Sequence, residues 1–143
     1  MSNDDTLTPG AVWPLHPHRK IEVVTYCADG EFRHADERGA GGVLQKGWVQ
    51  HTTVGKGMLP SEINDRRDAS VRFIEMWFLP SARGLQPSIE VRKVEREDRT
   101  NRFLPQVAPD VPQALFLFSD ARVSSAFLET GRGAYLYVLE GVP

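Results

Sequence analysis

The stretch that decides the fold is residues 16–36, HPHRKIEVVTYCADGEFRHAD. Its middle part, Ile21 to Tyr26, is β-branched and aromatic, as strands are, and Asp29-Gly30 follows almost at once. An Asp-Gly dipeptide after such a run favours a tight hairpin turn. Glu31 to His34 is therefore predicted as a returning strand that pairs with the first.

Working outward from this stretch, short strand candidates recur along the chain between Gly and Pro turns. They are Val43-Leu44, Trp48–Thr53, Val71–Leu79 and Ile89–Val94, followed by a second group at Ala114–Phe118, Ser125–Leu128 and Ala134–Leu139. No segment shows a sustained helical period. The sequence predicts an all-β sandwich or barrel, with a flexible lead-in at residues 1–10 and a linker at residues 95–113.

Composition excludes several classes of protein. The chain has 143 residues, one cysteine and a net charge of −2, with 17 basic and 19 acidic side chains. No field of one sign covers it, so nucleic acid is not an expected partner, and one cysteine cannot form an internal disulfide. No apolar run approaches the roughly 20 residues of a membrane span, and the acidic first residues are unlike a signal peptide. We expect a cytoplasmic protein that does not bind membranes.

The motif His16-Pro17-His18 is the first candidate for chemistry. Pro17 keeps His16 out of a helix, and two imidazoles at i and i+2 of an extended chain point the same way. Such a pair can bind one transition metal together with ligands from another strand. The alternative is a pair of polar residues at the entrance of a strand.

Two carboxylates could join this pair. Glu22 lies four residues after His18, so it shares the same face if the strand is continuous; alternatively it is a surface partner for Arg19 or Lys20. Glu62 follows the GKG turn at residues 55–57, where a second strand would return; alternatively it is a solvated loop acid.

Residues 16–36 and residues 41–62, GGVLQKGWVQHTTVGKGMLPSE, together closely resemble the pirins, members of the cupin superfamily that include quercetin dioxygenase-like proteins. Residues 76–94 resemble the strand and loop after the first pirin cupin domain, and residues 122–142 resemble the opening strands of the second. The resemblance implies a cupin-type β-barrel or jelly roll at residues 11–94. Residues 114–143 would be remnant strands of a second cupin that complete the barrel within the chain or across a homodimer.

The resemblance also implies a metal. Pirins hold iron through the two histidines of the HPH motif and through a His-x-Glu motif. His16, His18 and Glu62 match these positions, but Pro60 stands where the third histidine would be. Two histidines and one carboxylate can still form a facial triad for Fe(II) or another divalent transition metal, at lower affinity. A protein without metal is the alternative.

Four further residues are assigned from the same comparison. Glu22 and His51 are candidates for an additional ligand or a supporting partner of the metal, although a surface position is favoured for His51. His34 matches a family histidine with a structural, hydrogen-bonded role. Cys27 replaces an apolar residue, so a buried and inert thiol is expected.

Three functions remain open at this point. The first is a pirin-like protein that binds a small, aromatic molecule and a metal in its barrel. The second is an Fe(II)-dependent dioxygenase of quercetinase type, which the loss of one histidine at Pro60 disfavours. The third is a non-catalytic remnant or a module for protein interaction.

Overall fold

The computed structural model describes residues 1–134, which form strands joined by turns. The elements are β1 Ser2–Leu7, β2 Val12–Trp13, β3 Glu22–Asp29, β4 Glu31–Asp36, β5 Gly41–Gln45, β6 Val49–Thr53, β7 Pro60–Ile63, β8 Val71–Phe78, β9 Ser88–Arg92, β10 Leu104–Val107 and β11 Val123–Ser125, with one 3-10 turn at Glu97–Arg99. No α-helix occurs within these 134 residues. The prediction of an all-β fold is confirmed. No helix in the described part of the chain is long and apolar enough to cross a membrane.

Two antiparallel sheets carry the core. The first has five strands in the order β1-β8-β3-β6-β9, and the second has four in the order β2-β7-β4-β5. Phe32 of β4 stacks on Phe73 of β8 with ring centroids 4.7 Å apart, which joins the two sheets face to face. This contact belongs to one apolar cluster, and a second cluster contains Val23, Val54 and Met58.

The predicted hairpin between β3 and β4 is wrong. β3 pairs with β6 on one side and β8 on the other, so both of its edges are occupied. β4 therefore joins the second sheet, between β5 and β7. The Asp29-Gly30 turn carries the chain around the corner between the sheets, with Gly30 at a φ of 76°.

The predicted lead-in at residues 1–10 is also corrected, because β1 covers Ser2–Leu7. It pairs antiparallel with β8 over its whole length, from Ser2 opposite Met76 to Leu7 opposite Val71. Leu7 is 2% exposed in the apolar cluster, and Arg72 pairs with Asp4 across the strands. The open edge of β8 offers hydrogen bonds that override the low strand propensity of Ser-Asn-Asp-Asp.

The segment after residue 94 covers the outer face of the five-stranded sheet. Val107 and Leu117 are buried there against Val24 and Val49. β10 lies inside the predicted linker and pairs with β11. The strand expected at Ala114–Phe118 is reduced to one bridge, Leu115 to Val107. The candidate strand at Ala134–Leu139 lies, from residue 135 onward, outside the described residues.

Candidate metal centre

A polar layer lies between the two sheets, separating the two apolar clusters. Along β3 the inward-facing side chains are Val23, Thr25 and Cys27, of which the outer two belong to different apolar clusters. Thr25 therefore marks the level of the layer. Glu75 of β8 stands opposite Thr25 and accepts a hydrogen bond from its hydroxyl at 3.1 Å.

The second sheet contributes a histidine and a glutamate to the same layer. His34 of β4 lies opposite Glu62 of β7, and their side chains approach to 3.1 Å between Nε2 and Oε1. Gln50 of β6 contacts the other nitrogen of the His34 ring, Nδ1, at 3.2 Å. One ligand atom from each of His34, Glu62 and Glu75 lies within 4.8 Å of the other two. Three buried side chains with donor atoms this close could hold one metal ion.

The HPH motif precedes β3 in the chain and lies beside the polar layer. His16 Nδ1 lies 3.8 Å from Glu62 Oε2, and the His16 and His18 rings meet edge to face with centroids 4.8 Å apart. His16 Nδ1–H donates to the Pro14 carbonyl at 3.1 Å, since a carbonyl can only accept. In this tautomer Nε2 of His16 carries no proton, so its lone pair is free to bind a metal. Metal-binding histidines commonly donate their other ring N–H in this way.

The environment of His18 favours a neutral ring. Burial lowers the pKa of His18, and the neighbouring His16 lowers it further, against the opposing effect of the Glu62 carboxylate. The backbone of His18 is pinned by hydrogen bonds to and from Met58. A neutral imidazole is the form that ligates a metal.

Among the described residues, Glu62 is the buried side chain with two oxygens that lack a hydrogen bond. It is 0% exposed, and neither of its oxygens has a hydrogen-bond partner. A buried charge without hydrogen bonds is costly unless it is paired or coordinates a metal. The chemistry of the surrounding imidazoles and carboxylates fits a divalent transition metal.

The Glu62 charge also affects the pKa of two other acids, Glu75 and Asp5. Burial raises the pKa of Glu75, with the Glu62 carboxylate adding to the rise and His34 opposing it. Burial also raises the pKa of Asp5 on β1, to which the charges of Asp4 and Glu62 contribute. The Glu62 charge therefore disfavours ionisation of two neighbouring acids, and a bound cation would offset this repulsion.

Pro60 lines a small internal cavity of about 10 Å³, the size of a single ion or water. The other walls include His18, His34 and Glu75. A side chain at position 60 therefore faces the same interior as the HPH motif. A histidine at position 60, in place of the proline, would therefore face the cavity lined by His18, His34 and Glu75.

Glu22 and His51 do not belong to this centre, which corrects their prediction as further ligands or supporting partners. Both lie on the opposite face of the five-stranded sheet, where His51 Nε2 contacts Glu22 Oε1 at 3.0 Å. The parity argument from His18 fails because Lys20 has a φ of 56°, so the chain is not continuously extended between positions 18 and 22. His51 is 1% exposed and not on the surface, because residues 107–123 cover that face.

His34 and Glu75 are not predicted as ligands from the sequence. The predicted hydrogen-bonded role of His34 agrees with its contact to Gln50 through Nδ1, and its Nε2 also lies 3.1 Å from Glu62 Oε1. Glu75 was overlooked, although a lone acid at the same parity as Phe73 and Trp77 in an apolar strand is a visible signal. Cys27 is buried as expected, and burial raises the pKa of its thiol to about 12.

A family profile and curated relatives point to the same protein family. The Pirin family profile matches residues 1–78. A Zymomonas mobilis protein named "Putative quercetin 2,3-dioxygenase" is 32% identical over 98% of this chain and 64% of its own length. A Pseudomonas aeruginosa protein of the same name is 34% identical over 96% of this chain and 60% of its own length.

Solved structures show the same architecture. The crystal structure of YhhW from Escherichia coli covers 86% of this chain with a TM-score of 0.78 and 25% identity. A structure described as bacterial pirin YhhW in complex with nickel(II) covers 85% with a TM-score of 0.76. The cupin-type fold is thereby confirmed. The chain spans about half of each solved chain and 60% to 64% of the two curated relatives named above.

Proposed function

Because the chain belongs to the pirin family, we propose that it is a cupin protein that holds a divalent transition metal between its two sheets and binds a small molecule beside it. The observation that carries this proposal is the Glu62 carboxylate, which is fully buried, has no hydrogen bond at either oxygen and lies within 4 Å of two imidazoles. A cation is the simplest group that would satisfy it.

The proposed ligands are His16, His18 and Glu62, as the family motif implies, with His34 as the residue that replaces the absent histidine. His34 would ligate through Nε2, which already faces Glu62. The Gln50 atom that lies 3.2 Å from His34 Nδ1 is the amide Nε2, which can only donate. For His34 to ligate, its Nδ1 would carry the proton, and the Gln50 amide would turn over so that Oε1, which has no other partner, accepts it. The chain would in this way recover a set of three imidazoles and one carboxylate.

The metal itself would act as a Lewis acid or a redox centre toward a bound ligand. The residues of this chain do the rest. Thr25 and Gln50 orient Glu75 and His34 through hydrogen bonds, and the apolar clusters on either side exclude bulk water. Glu75, with its raised pKa, is placed to hold a proton at its carboxyl group beside the metal.

A second candidate function is an Fe(II)-dependent dioxygenase of quercetinase type acting on a small aromatic substrate. Two relatives that cover nearly all of this chain carry quercetin 2,3-dioxygenase in their names. Two histidines and one carboxylate are the ligand pattern of non-haem Fe(II) oxygenases. The cavity beside His18 is only about 10 Å³, so a flavonol would have to enter by displacing the residues that now line it.

The test is metal content and thermal stability of the purified protein with Ni(II), Fe(II) and Zn(II). We expect about one ion per chain, and at a hundredfold excess over Kd an increase in the free energy of unfolding of about 2.7 kcal/mol. Glu62→Gln should abolish both effects. Glu90→Gln, which removes an exposed carboxylate from β9, is the matched control and should leave them unchanged.

His34→Gln separates the two ligand schemes. A loss of binding as severe as that of His16→Ala supports His34 as a ligand, whereas unchanged affinity restricts the set to the motif residues. Oxygen consumption with quercetin by the iron-loaded protein tests the second function. No ion bound and no change in Tm for any metal would contradict the proposed centre.

A further inference from the structure

A second concave site lies outside the polar layer. It is a cleft of about 530 Å³ between the loop before β3, the turn after β6 and the loop after β8. Its lining residues are Lys20, Gly55, Lys56, Pro80, Ala82, Arg83, Gly84 and Leu85. None of these lines the small cavity of the metal centre, so the two sites are separate in their residues.

Three cationic side chains meet at this cleft, and no acidic residue lines it. Within residues 1–134, Lys20, Lys56 and Arg83 form no ion pair. Some other surface cations are neutralised by a neighbouring carboxylate, as Arg33 is by Asp65 and Lys46 is by Asp29. Unneutralised positive charge concentrated in a concavity attracts anions and raises their local concentration.

The backbone holds the cleft in shape. Lys20 has a φ of 56°, which is uncommon for a residue with a side chain, and its N–H donates to the Gly55 carbonyl at 3.1 Å. Gly55 approaches the next loop so closely that a Cβ there would lie 2.4 Å from the Leu85 carbonyl oxygen. The three loops are therefore locked together, and the strained Lys20 backbone directs one cation to the cleft.

The remaining wall is apolar. Pro80, Ala82 and Leu85 line it, and none of these side chains carries a donor or acceptor. An inorganic anion would bind the cationic side chains and leave the apolar wall exposed to water. An organic anion would bind the cationic side chains and also bury the apolar wall. We propose that the cleft binds a small organic carboxylate, with its charged end at Lys20, Lys56 and Arg83 and its apolar body against Pro80 and Leu85.

The test is titration of the full chain with benzoate at low ionic strength, followed by calorimetry and by amide chemical shifts. Metal is removed beforehand with a chelator that is then dialysed away, so that benzoate cannot bind through a metal and the chelator cannot compete for the cleft. We expect saturable binding with amide shifts at residues 20, 55–56 and 81–85. Because each exposed ion pair contributes only modestly, Lys56→Gln with Arg83→Gln should weaken binding roughly tenfold.

The matched control is the pair Arg67→Gln and Lys93→Gln, which removes the same charge outside the cleft. It should retain the affinity of the unaltered protein, and a comparable loss would overturn the proposal in favour of general charge attraction. Benzyl alcohol should bind more weakly than benzoate, and inorganic phosphate should not match benzoate. Equal binding of either probe, or no saturable binding of benzoate, would also overturn it. Glu62→Gln should leave benzoate binding intact, which keeps this test independent of the metal centre.

Discussion

His51 Nε2 lies 3.0 Å from Glu22 Oε1, and both side chains are buried between the five-stranded sheet and the segment that follows β9. The same oxygen accepts a hydrogen bond from the Phe118 N–H at 2.9 Å. One buried carboxylate thus ties β6 and the C-terminal segment to β3. The pair fastens the covering segment to the sheet and takes no part in the interior centre.

Replacing Glu22 should release that segment. Glu22→Ala leaves His51 and the Phe118 N–H without an acceptor, and a buried unsatisfied donor costs about 1–3 kcal/mol. We expect the free energy of unfolding in urea to fall by at least that amount. Glu22→Gln keeps an acceptor oxygen and should fall less. The control Glu90→Gln alters the residue opposite His51 on β9, which is exposed. Equal stability of Glu22→Ala and the control would show that the contact is unimportant.

The pairing of β1 with β8 should depend on acid pH through Asp4. The Arg72 guanidinium hydrogen-bonds to Asp4 and lowers its pKa below the ordinary 3.8. A lowered folded-state pKa contributes stability above 3.8 that is lost as the pH falls through the folded-state value. The difference in stability between the unaltered protein and Asp4→Asn should therefore be positive near neutral pH and vanish in acid. Asp120→Asn, an exposed aspartate without an ion pair in the described chain, should show no such difference.

Cys27 should resist thiol reagents while the protein is folded. The side chain is 0% exposed, and burial raises its pKa to about 12, so the thiolate is scarce at neutral or mildly alkaline pH. A disulfide reagent should react only at the rate of global unfolding, and at full speed in denaturant. Fast labelling of the native protein near pH 8 would contradict the buried position of β3.

The strands were largely predictable from the sequence, whereas their partners were not. Ile21–Tyr26 and Val71–Leu79 are apolar and β-branched, and both form strands. The Asp29-Gly30 dipeptide predicts only a local turn. A turn of this kind is compatible both with pairing of β4 to β3 and with passage of β4 to the other sheet. Residues 2–7 read as polar lead-in because their pairing depends on a free edge of β8, seventy residues away. Such long-range contacts leave no local pattern.

The interior centre was predictable where a motif spans few residues. His16 lies 3.8 Å from Glu62 and packs edge to face against His18, because the spacing of the HPH motif brings its two rings together. Glu22 was misplaced because one positive φ at Lys20 changes which face the following residues take. His34 and Glu75 come from different sheets and meet only through the packing of those sheets, so their proximity cannot be derived from spacing.

We predict that two copies of the chain associate in solution through the apolar surface around Phe116. Leu79 is 79% exposed and Phe116 51% exposed, and both line one cleft with Phe118. Large apolar side chains gathered on a surface favour a partner. Sedimentation should show a dimer, and Leu79→Ser with Phe116→Ser should yield a folded monomer. Val43→Ser, at a half-exposed apolar residue of β5, is the control. A monomer at high concentration would contradict this prediction.

Restoring a histidine at position 60 should strengthen the metal centre. Pro60 faces the same small cavity as His18, His34 and Glu75, so an imidazole there would enter the site directly. Even partners that only support a ligand change metal affinity by about 10–100-fold, so an added ligand should raise Ni(II) affinity at least tenfold. Pro60→Ala removes the ring without adding a donor, and it controls for the altered backbone of β7. Titration with Ni(II), read by calorimetry and by Tm, distinguishes the variants.

If Pro60→His and Pro60→Ala bind Ni(II) equally, either His34 already completes the ligand set or the cavity is not the metal position. A His34→Gln change in the Pro60→His background then decides, because affinity survives it only if the new histidine ligates.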